Sequence, residues 1–194
     1  MILDKQKSSD DQLEKWIFKL ILLGDSCVGK TSLINQYVEK TFEEDYKPTI
    51  GVSIVKTSVI LSQIKSKVSL ILWDIAGQEK YQKYRKYYFE GCVGALFVYD
   101  ITRKTTFNNI KSKWYEDFKK YIGLKNSVYL LVGNKNDLVD ERNVDKEDGK
   151  NLANEINAAD FIETSAKNGD NVEKAFLRLI QKILSNYEVA LQIE

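Results

Sequence analysis

"KLILLGDSCVGKTSL", residues 19–33, opens a glycine-framed gap in a chain otherwise rich in large side chains. Gly24 and Gly29 stand five apart with Lys30 and Thr31 directly after, giving G-x-x-x-x-G-K-T. Glycines so placed let the backbone curl until its N–H groups converge on an anion seated at a helix N-terminus. The flanks fit that reading. Leu20-Ile21-Leu22-Leu23 is a buried-strand pattern, and Leu33, Ile34 and Tyr37 recur at helical spacing. A tight strand-to-helix turn with a surface lysine is the plainer alternative, but strand, glycine loop and helix in succession are what a phosphate cradle requires.

Outward from this loop, strand-like runs fall near 16–23, 51–61, 67–73, 93–100, 127–133 and 160–163, and helical patterns near 30–39, 105–122, 146–157 and 170–187. The last helix carries Val172, Phe176, Leu179, Ile180, Ile183 and Tyr187 on one stripe, which is core packing. The runs at 51–61 and 67–73 follow each other without a helix and read as a hairpin. Elsewhere β and α alternate. The expectation is an α/β fold with a six-stranded, mostly parallel sheet (one strand antiparallel) and helices on both faces. Ligands of such sheets gather at the carboxyl ends of the strands.

At 194 residues and 43% hydrophobic, the chain suits one domain with a proper core. We expect a tail at 1–14, a single domain at 15–188 and a short tail at 189–194. A net charge of +1 gives no footing for nucleic-acid binding. Two cysteines, Cys27 and Cys92, with no histidine exclude a disulfide framework and the usual zinc spacings. No apolar run approaches the ~20 residues of a membrane span, and neither a signal peptide nor a myristoylation glycine is present. A cytoplasmic, monomeric protein is expected, at most peripheral to membranes.

The strand ends should then carry polar residues. The 67–73 run ends in "WDIAGQE", placing Asp74 and Gly77 as D-x-x-G; the 127–133 run ends in "GNKND", with Asn134, Lys135 and Asp137; the 160–163 run ends in "ETSAK", with Ser165, Ala166 and Lys167. Each string is weak alone, because Asn, Asp and Gly are common loop residues. In this order, and each after a strand, they are specific.

On these motifs, the chain from about Lys15 to Tyr187 resembles the Ras superfamily of small GTPases, most nearly its Rab branch. The resemblance implies a P-loop NTPase fold that binds GTP or GDP with Mg²⁺ and hydrolyses GTP. It assigns the phosphates to Gly24, Asp25, Ser26, Cys27, Val28, Gly29, Lys30, Thr31 and Ser32, with Thr49 and Gly77 reaching the γ-phosphate. It assigns the base to Phe42, Asn134, Lys135, Asp137, Ser165, Ala166 and Lys167. Asp137 offers two parallel acceptors that fit the N1–H and 2-amino donors of guanine, whereas adenine has neither donor there. Thr31 and Thr49 would hold the Mg²⁺ directly and Asp74 through a water.

Three residues are then catalytic: Lys30 and Thr49 at the phosphates, and Gln78, which lacks acid–base character and so acts by orienting water. The first switch loop, 40–50, holds Lys40 and Lys47 but no arginine, so slow hydrolysis alone and acceleration by an activating protein are implied. An exchange factor would open the Mg²⁺ region. An effector surface is expected at Tyr46, Ile50, Trp73, Tyr81 and Tyr84; the lysines and tyrosines of "EKYQKYRKYYFE" suit a protein partner better than nucleic acid.

The sequence departs from the family at several points. Ser26 and Cys27 stand where Ras proper has glycines, Ile75 replaces the threonine usual in Rab proteins, and Tyr88-Phe89-Glu90-Gly91 replaces Tyr-Tyr-Arg-Gly. No cysteine follows Cys92, so no prenylation site is expected in this chain. A P-loop ATPase or kinase, a nucleotide-bound module with little or no hydrolysis, and a Ras-like signalling GTPase are the competing readings. Asp137 and the Ser-Ala-Lys loop disfavour the first; intact Gln78 and Thr49 disfavour the second.

Overall fold

The computed structural model describes residues 13–43, 49–77, 85–122 and 127–187. Six strands form one sheet: β1 (Glu14–Leu23), β2 (Val52–Leu61), β3 (Ser66–Ile75), β4 (Gly94–Asp100), β5 (Val128–Asn134) and β6 (Asp160–Thr164). Their order is β2-β3-β1-β4-β5-β6, with β2 antiparallel to β3 and every other pair parallel. The expected sheet is therefore observed, its antiparallel strand at one edge. The parallel strands β1, β3, β4, β5 and β6 end on the same side, and β1, between β3 and β4, marks the point where the connections change direction.

The helices are α1 (Lys30–Glu39), α2 (Arg85–Phe89), α3 (Lys104–Asn109), α4 (Glu116–Tyr121), α5 (Lys146–Glu155) and α6 (Val172–Asn186), with a π-helical turn at Ile110–Tyr115 joining α3 to α4. Two cores lie on opposite faces of the sheet. Phe18, Leu20 and Leu22 of β1 pack with Leu33 and Ile34 of α1 and with Phe176, Leu179 and Ile183 of α6. The alternating residues Ile21 and Leu23 pack on the other face with Phe97, Trp114, Phe118 and Leu152. Burial on both faces explains why β4 (GALFVYD) and β5 (VYLLVGN) are apolar almost without interruption and buried throughout.

The π turn departs from the single helix expected over 105–122. Ile110, Trp114 and Phe118 are all fully buried and stand four apart. In an α-helix each four-residue step overshoots a full turn by roughly 40°. A π turn, bonded i to i+5, takes up that excess and keeps all three side chains on the sheet.

Candidate functional site

The loop from Gly24 to Gly29 leaves β1 and enters α1 through a left-handed Gly29 (φ 94°), and no side chain caps that helix. Two glycines here are required by close approach. A Cβ at Gly24 would lie 2.1 Å from the Val98 carbonyl oxygen, and one at Gly29 would lie 2.3 Å from Asn134 Nδ2. Cys27 also takes positive φ (61°) and is exposed. The Lys30 side chain is buried at 6% exposure, its ammonium donating to the carbonyls of Gly24 (2.8 Å) and Asp25 (2.7 Å) across the loop.

Asp25 turns its carboxylate to the opposite side. It accepts from Asn109 Nδ2 (2.7 Å) and from the indole Nε1 of Trp114 (2.8 Å), so α3 and the π turn hold the loop from behind. Arg103 adds a third tie, donating to the Ser26 carbonyl at 2.9 Å.

Three oxygen-bearing side chains from separate stretches meet beside Lys30. Thr31 Oγ1 lies 2.9 Å from Thr49 Oγ1, and both hydroxyls donate to Asp74 Oδ2, Thr49 at 3.0 Å. Asp74 is 1% exposed, and its other oxygen, Oδ1, is buried without a hydrogen-bond partner among the described residues. An unpartnered buried carboxylate oxygen beside two hydroxyls is a hard-oxygen donor set that suits Mg²⁺. Having only one carboxylate, it suits an ion that keeps waters and phosphate oxygens as its remaining ligands. Gly77 follows closely, and a Cβ there would lie 2.3 Å from Asp25 C and Ser26 N.

A cavity of about 500 Å³ runs from Cys27 and Gly29 past Phe42 to Asn134, Lys135, Asp137, Ala166 and Lys167. Its far end is braced by hydrogen bonds. Ser165 Oγ donates to Asp137 Oδ1 (2.5 Å), and Asn168 N–H donates to Ser165 Oγ (3.1 Å). Asn134, 1% exposed, donates through Nδ2 to the Val28 carbonyl (2.9 Å) and accepts at Oδ1 from Thr164 Oγ1 (3.0 Å) and Ala166 N–H (3.2 Å). Its amide thus ties three loops together, a scaffold duty beside the base contact expected from the sequence. Lys135, held at φ 71°, pairs through Nζ with Asp100 Oδ2 at 2.6 Å. A larger groove of about 640 Å³ lies elsewhere, between α3 and α5, and its flanking Lys104–Asp148 and Lys111–Glu155 side chains pair with each other.

The model of the Ras family matches residues 19–185. The chain belongs to the Ras family. It is 41% identical over 170 residues to the Ras-related protein RABA4a of Arabidopsis thaliana, covering 88% of this chain and 73% of that one. RABA6a of the same plant is 43% identical over 168 residues (87% and 70%), and Rab11A of Lotus japonicus 40% identical over 168 residues (87% and 72%). This Ras-family chain is a small GTPase that binds guanine nucleotide and hydrolyses GTP.

Among the expected site residues, the structure brings Gly24, Gly29, Lys30, Thr31, Ser32, Thr49, Asp74 and Gly77 together at one end of the sheet and gathers the 134–137 and 165–167 strings beside them. Gln78, Tyr46, Tyr81 and Tyr84 lie outside the described residues. Ile50 is 82% exposed; Trp73 is half-buried, under the Lys19 ammonium and against Tyr88. Asp100, Arg103, Asn109 and Trp114 were not anticipated. One signal for Asp100 was present: it ends a buried strand on the side where the other site strings lie.

Proposed function

We propose that this Ras-family GTPase is a Rab-type switch of membrane traffic, holding GDP or GTP with Mg²⁺ across the carboxyl edge of its sheet. The observation that carries the reading is the meeting of Lys30, Thr31, Thr49 and Asp74, from three separate stretches, beside Cys27, Gly29 and Ser32, which also line the cavity that reaches Asp137. The separation suits a molecule with a polyanionic end and a base.

Lys30 exchanges its two carbonyl partners for phosphate oxygens, remaining hydrogen-bonded throughout. Thr31 and Thr49 would hold Mg²⁺ directly and Asp74 through a water; the bound ion would supply positive charge against the phosphate oxygens. Backbone N–H groups of 25–32 cradle the phosphates. Asp137, oriented by Ser165, reads guanine; Lys167 lies at the oxygen edge beside Ala166, whose N–H is shared between Asn134 Oδ1 and the guanine oxygen, with Phe42 at the rim of the pocket. Gln78, directly after Gly77, orients the attacking water. Thr49 and Gly77 sit on two different loops, so GTP holds both and hydrolysis releases them. In the GTP form Tyr46, Ile50, Trp73, Tyr81 and Tyr84 present the surface that effectors read. With no arginine in the first switch loop, the reaction depends on an activating protein, whose effect on Ras-type GTPases is roughly 10³–10⁵-fold. The domain extends over 15–188 and acts as a monomer, without contacting nucleic acid; among the described residues no helix is long and apolar enough to cross a membrane.

The test is displacement of a fluorescent GDP from the purified protein, followed by phosphate release under single turnover. GDP and GTP should compete at stoichiometric levels and ATP only at a thousandfold excess or more. Gln78→Leu should bind GTP as before but release phosphate at least tenfold more slowly. Equal competition by ATP refutes the base assignment, and unchanged phosphate release refutes the role of Gln78.

A further inference from the structure

We infer that Asp100 is a positioning residue for nucleotide binding, a buried carboxylate that couples the base pocket to the phosphate loop. The inference rests on the guanine-nucleotide reading above and adds a residue outside the motifs that led to it. Asp100 is fully buried at the end of β4. Its two oxygens have different tasks. Oδ1 accepts from the backbone N–H (2.9 Å) and hydroxyl (2.7 Å) of Thr102, closing the local turn. Oδ2 accepts from Lys135 Nζ (2.6 Å) and Arg103 Nε (3.0 Å), two cations that belong to different parts of the site.

Lys135 lines the base cavity, and the bond to Asp100 fixes the far end of its side chain while its backbone is held in the left-handed region. Arg103 carries the other arm, its Nη2 donating to the Ser26 carbonyl at 2.9 Å. One carboxylate oxygen therefore sits between a residue beside the base and a peptide group of the phosphate loop. A turn alone would need only Oδ1. Burial pushes the carboxyl's pKa up, yet hydrogen bonds from Lys135 and Thr102 outweigh it and hold the group below the ordinary carboxylate value. Asp100 therefore stays charged, as an anchor for two cations must.

The chemistry also excludes a neutral stand-in. Asparagine is isosteric and could keep the bonds to Thr102 through its oxygen. Its amide N–H₂ would then face two cations and accept from neither. Lys135 would lose its anchor and Arg103 its neighbour, leaving both loops less ordered before nucleotide arrives.

The experiment measures release of fluorescent GDP from wild type, Asp100→Asn, Lys135→Met, the double variant and Arg103→Gln, with folding checked by circular dichroism. Losing a charge-assisted hydrogen bond in a buried site corresponds to about 10- to 100-fold, which is the acceleration expected for Asp100→Asn. In the Lys135→Met background, where the Lys135 arm is already absent, the same change should accelerate release only by the several-fold that the Arg103 arm carries, clearly less than in the wild-type background. Equal acceleration in both backgrounds, whatever the loss of melting temperature, would mean a structural role only and overturns the inference. Should Asp100→Asn fail to fold, Arg103→Gln tests the second arm on a half-exposed side chain; several-fold faster release supports it and an unchanged rate overturns it. Wild type keeps this separate from the wider reading: failure of wild type to retain GDP refutes guanine binding, whereas wild-type retention with unchanged release from Asp100→Asn refutes only the inference.

Discussion

Replacing Asn134 by alanine tests whether this side chain chiefly holds the loops together or chiefly meets a ligand. The amide makes three buried hydrogen bonds, to the Val28 carbonyl, the Thr164 hydroxyl and the Ala166 N–H. Val28 and Thr164 are completely inaccessible, and Ala166 is 3% exposed, so water does not readily replace the lost partner. Each orphaned buried group costs about 1–3 kcal/mol. The three share one side chain and do not simply add, which places the loss at about 3–5 kcal/mol, a large part of the ~5–15 kcal/mol typical of a domain. Thr164→Val removes only the Thr164 bond and should cost about 1 kcal/mol, leaving the other two in place. Urea unfolding over a series of GDP concentrations, with the linked contribution from the calorimetric GDP affinity subtracted from each midpoint, separates the effects. The scaffold account expects Asn134→Ala to lower the midpoint far more than Thr164→Val. A midpoint close to that of Thr164→Val, with GDP affinity alone reduced, would refute it and return Asn134 to the base contact its position in the motif suggests.

Other outcomes follow from the same geometry. Cys27 is exposed, whereas Cys92 is buried, its thiol pushed up to about 12 chiefly by burial. Iodoacetamide at pH 8 should therefore modify one cysteine in the native protein and two after denaturation, and GDP should slow the first because Cys27 lines the cavity. Asp100 titrates in the unfolded chain near 3.8 and lower in the folded one, so its contribution is present above 3.8 and is lost as pH falls through the folded value. Acid unfolding followed by circular dichroism should accordingly show a shallower loss of stability below pH 4 in Asp100→Asn than in wild type. Trp114→Phe deletes the indole N–H that Asp25 accepts and should cost about 2–4 kcal/mol in urea unfolding, the lost charge-assisted bond plus a small cavity. A loss below 1 kcal/mol would show that Asn109 alone suffices to hold Asp25.

Much of the fold was legible because its signals are local. Strands β4 and β5 are apolar runs of the right length, α6 repeats its buried residues at helical spacing, and the short gap between 61 and 66, filled by one 3-10 turn at Ser62–Ile64, leaves a hairpin as the connection. The π turn was hidden, since four-residue spacing over Ile110, Trp114 and Phe118 reads as an ordinary helix until the shared burial of all three is known. Parts of the candidate site were legible for a different reason. Gly24, Gly29, Asp74 and Gly77 occur in strings whose spacing reflects backbone approach distances, and the structure shows those approaches as close as 2.1–2.3 Å for an added Cβ at the three glycines. For Asp100 only its place at a strand end was legible and not its partners, because an aspartate before Ile-Thr looks like any residue closing a strand. Its second oxygen finds Lys135 and Arg103 only through long-range folding. Asn134 illustrates a further limit: an amide offers the same donor and acceptor to a purine edge and to a peptide group, and only packing determines which it meets.

On the reading proposed above, the cavity between the 24–31 loop and Asp137 holds a guanine nucleotide. The most direct measurement is to purify the protein without added nucleotide, denature it by heat and identify what it releases by chromatography against nucleotide standards. Close to one guanine nucleotide per chain, mainly GDP, is expected. Adenine nucleotide in that amount would contradict it.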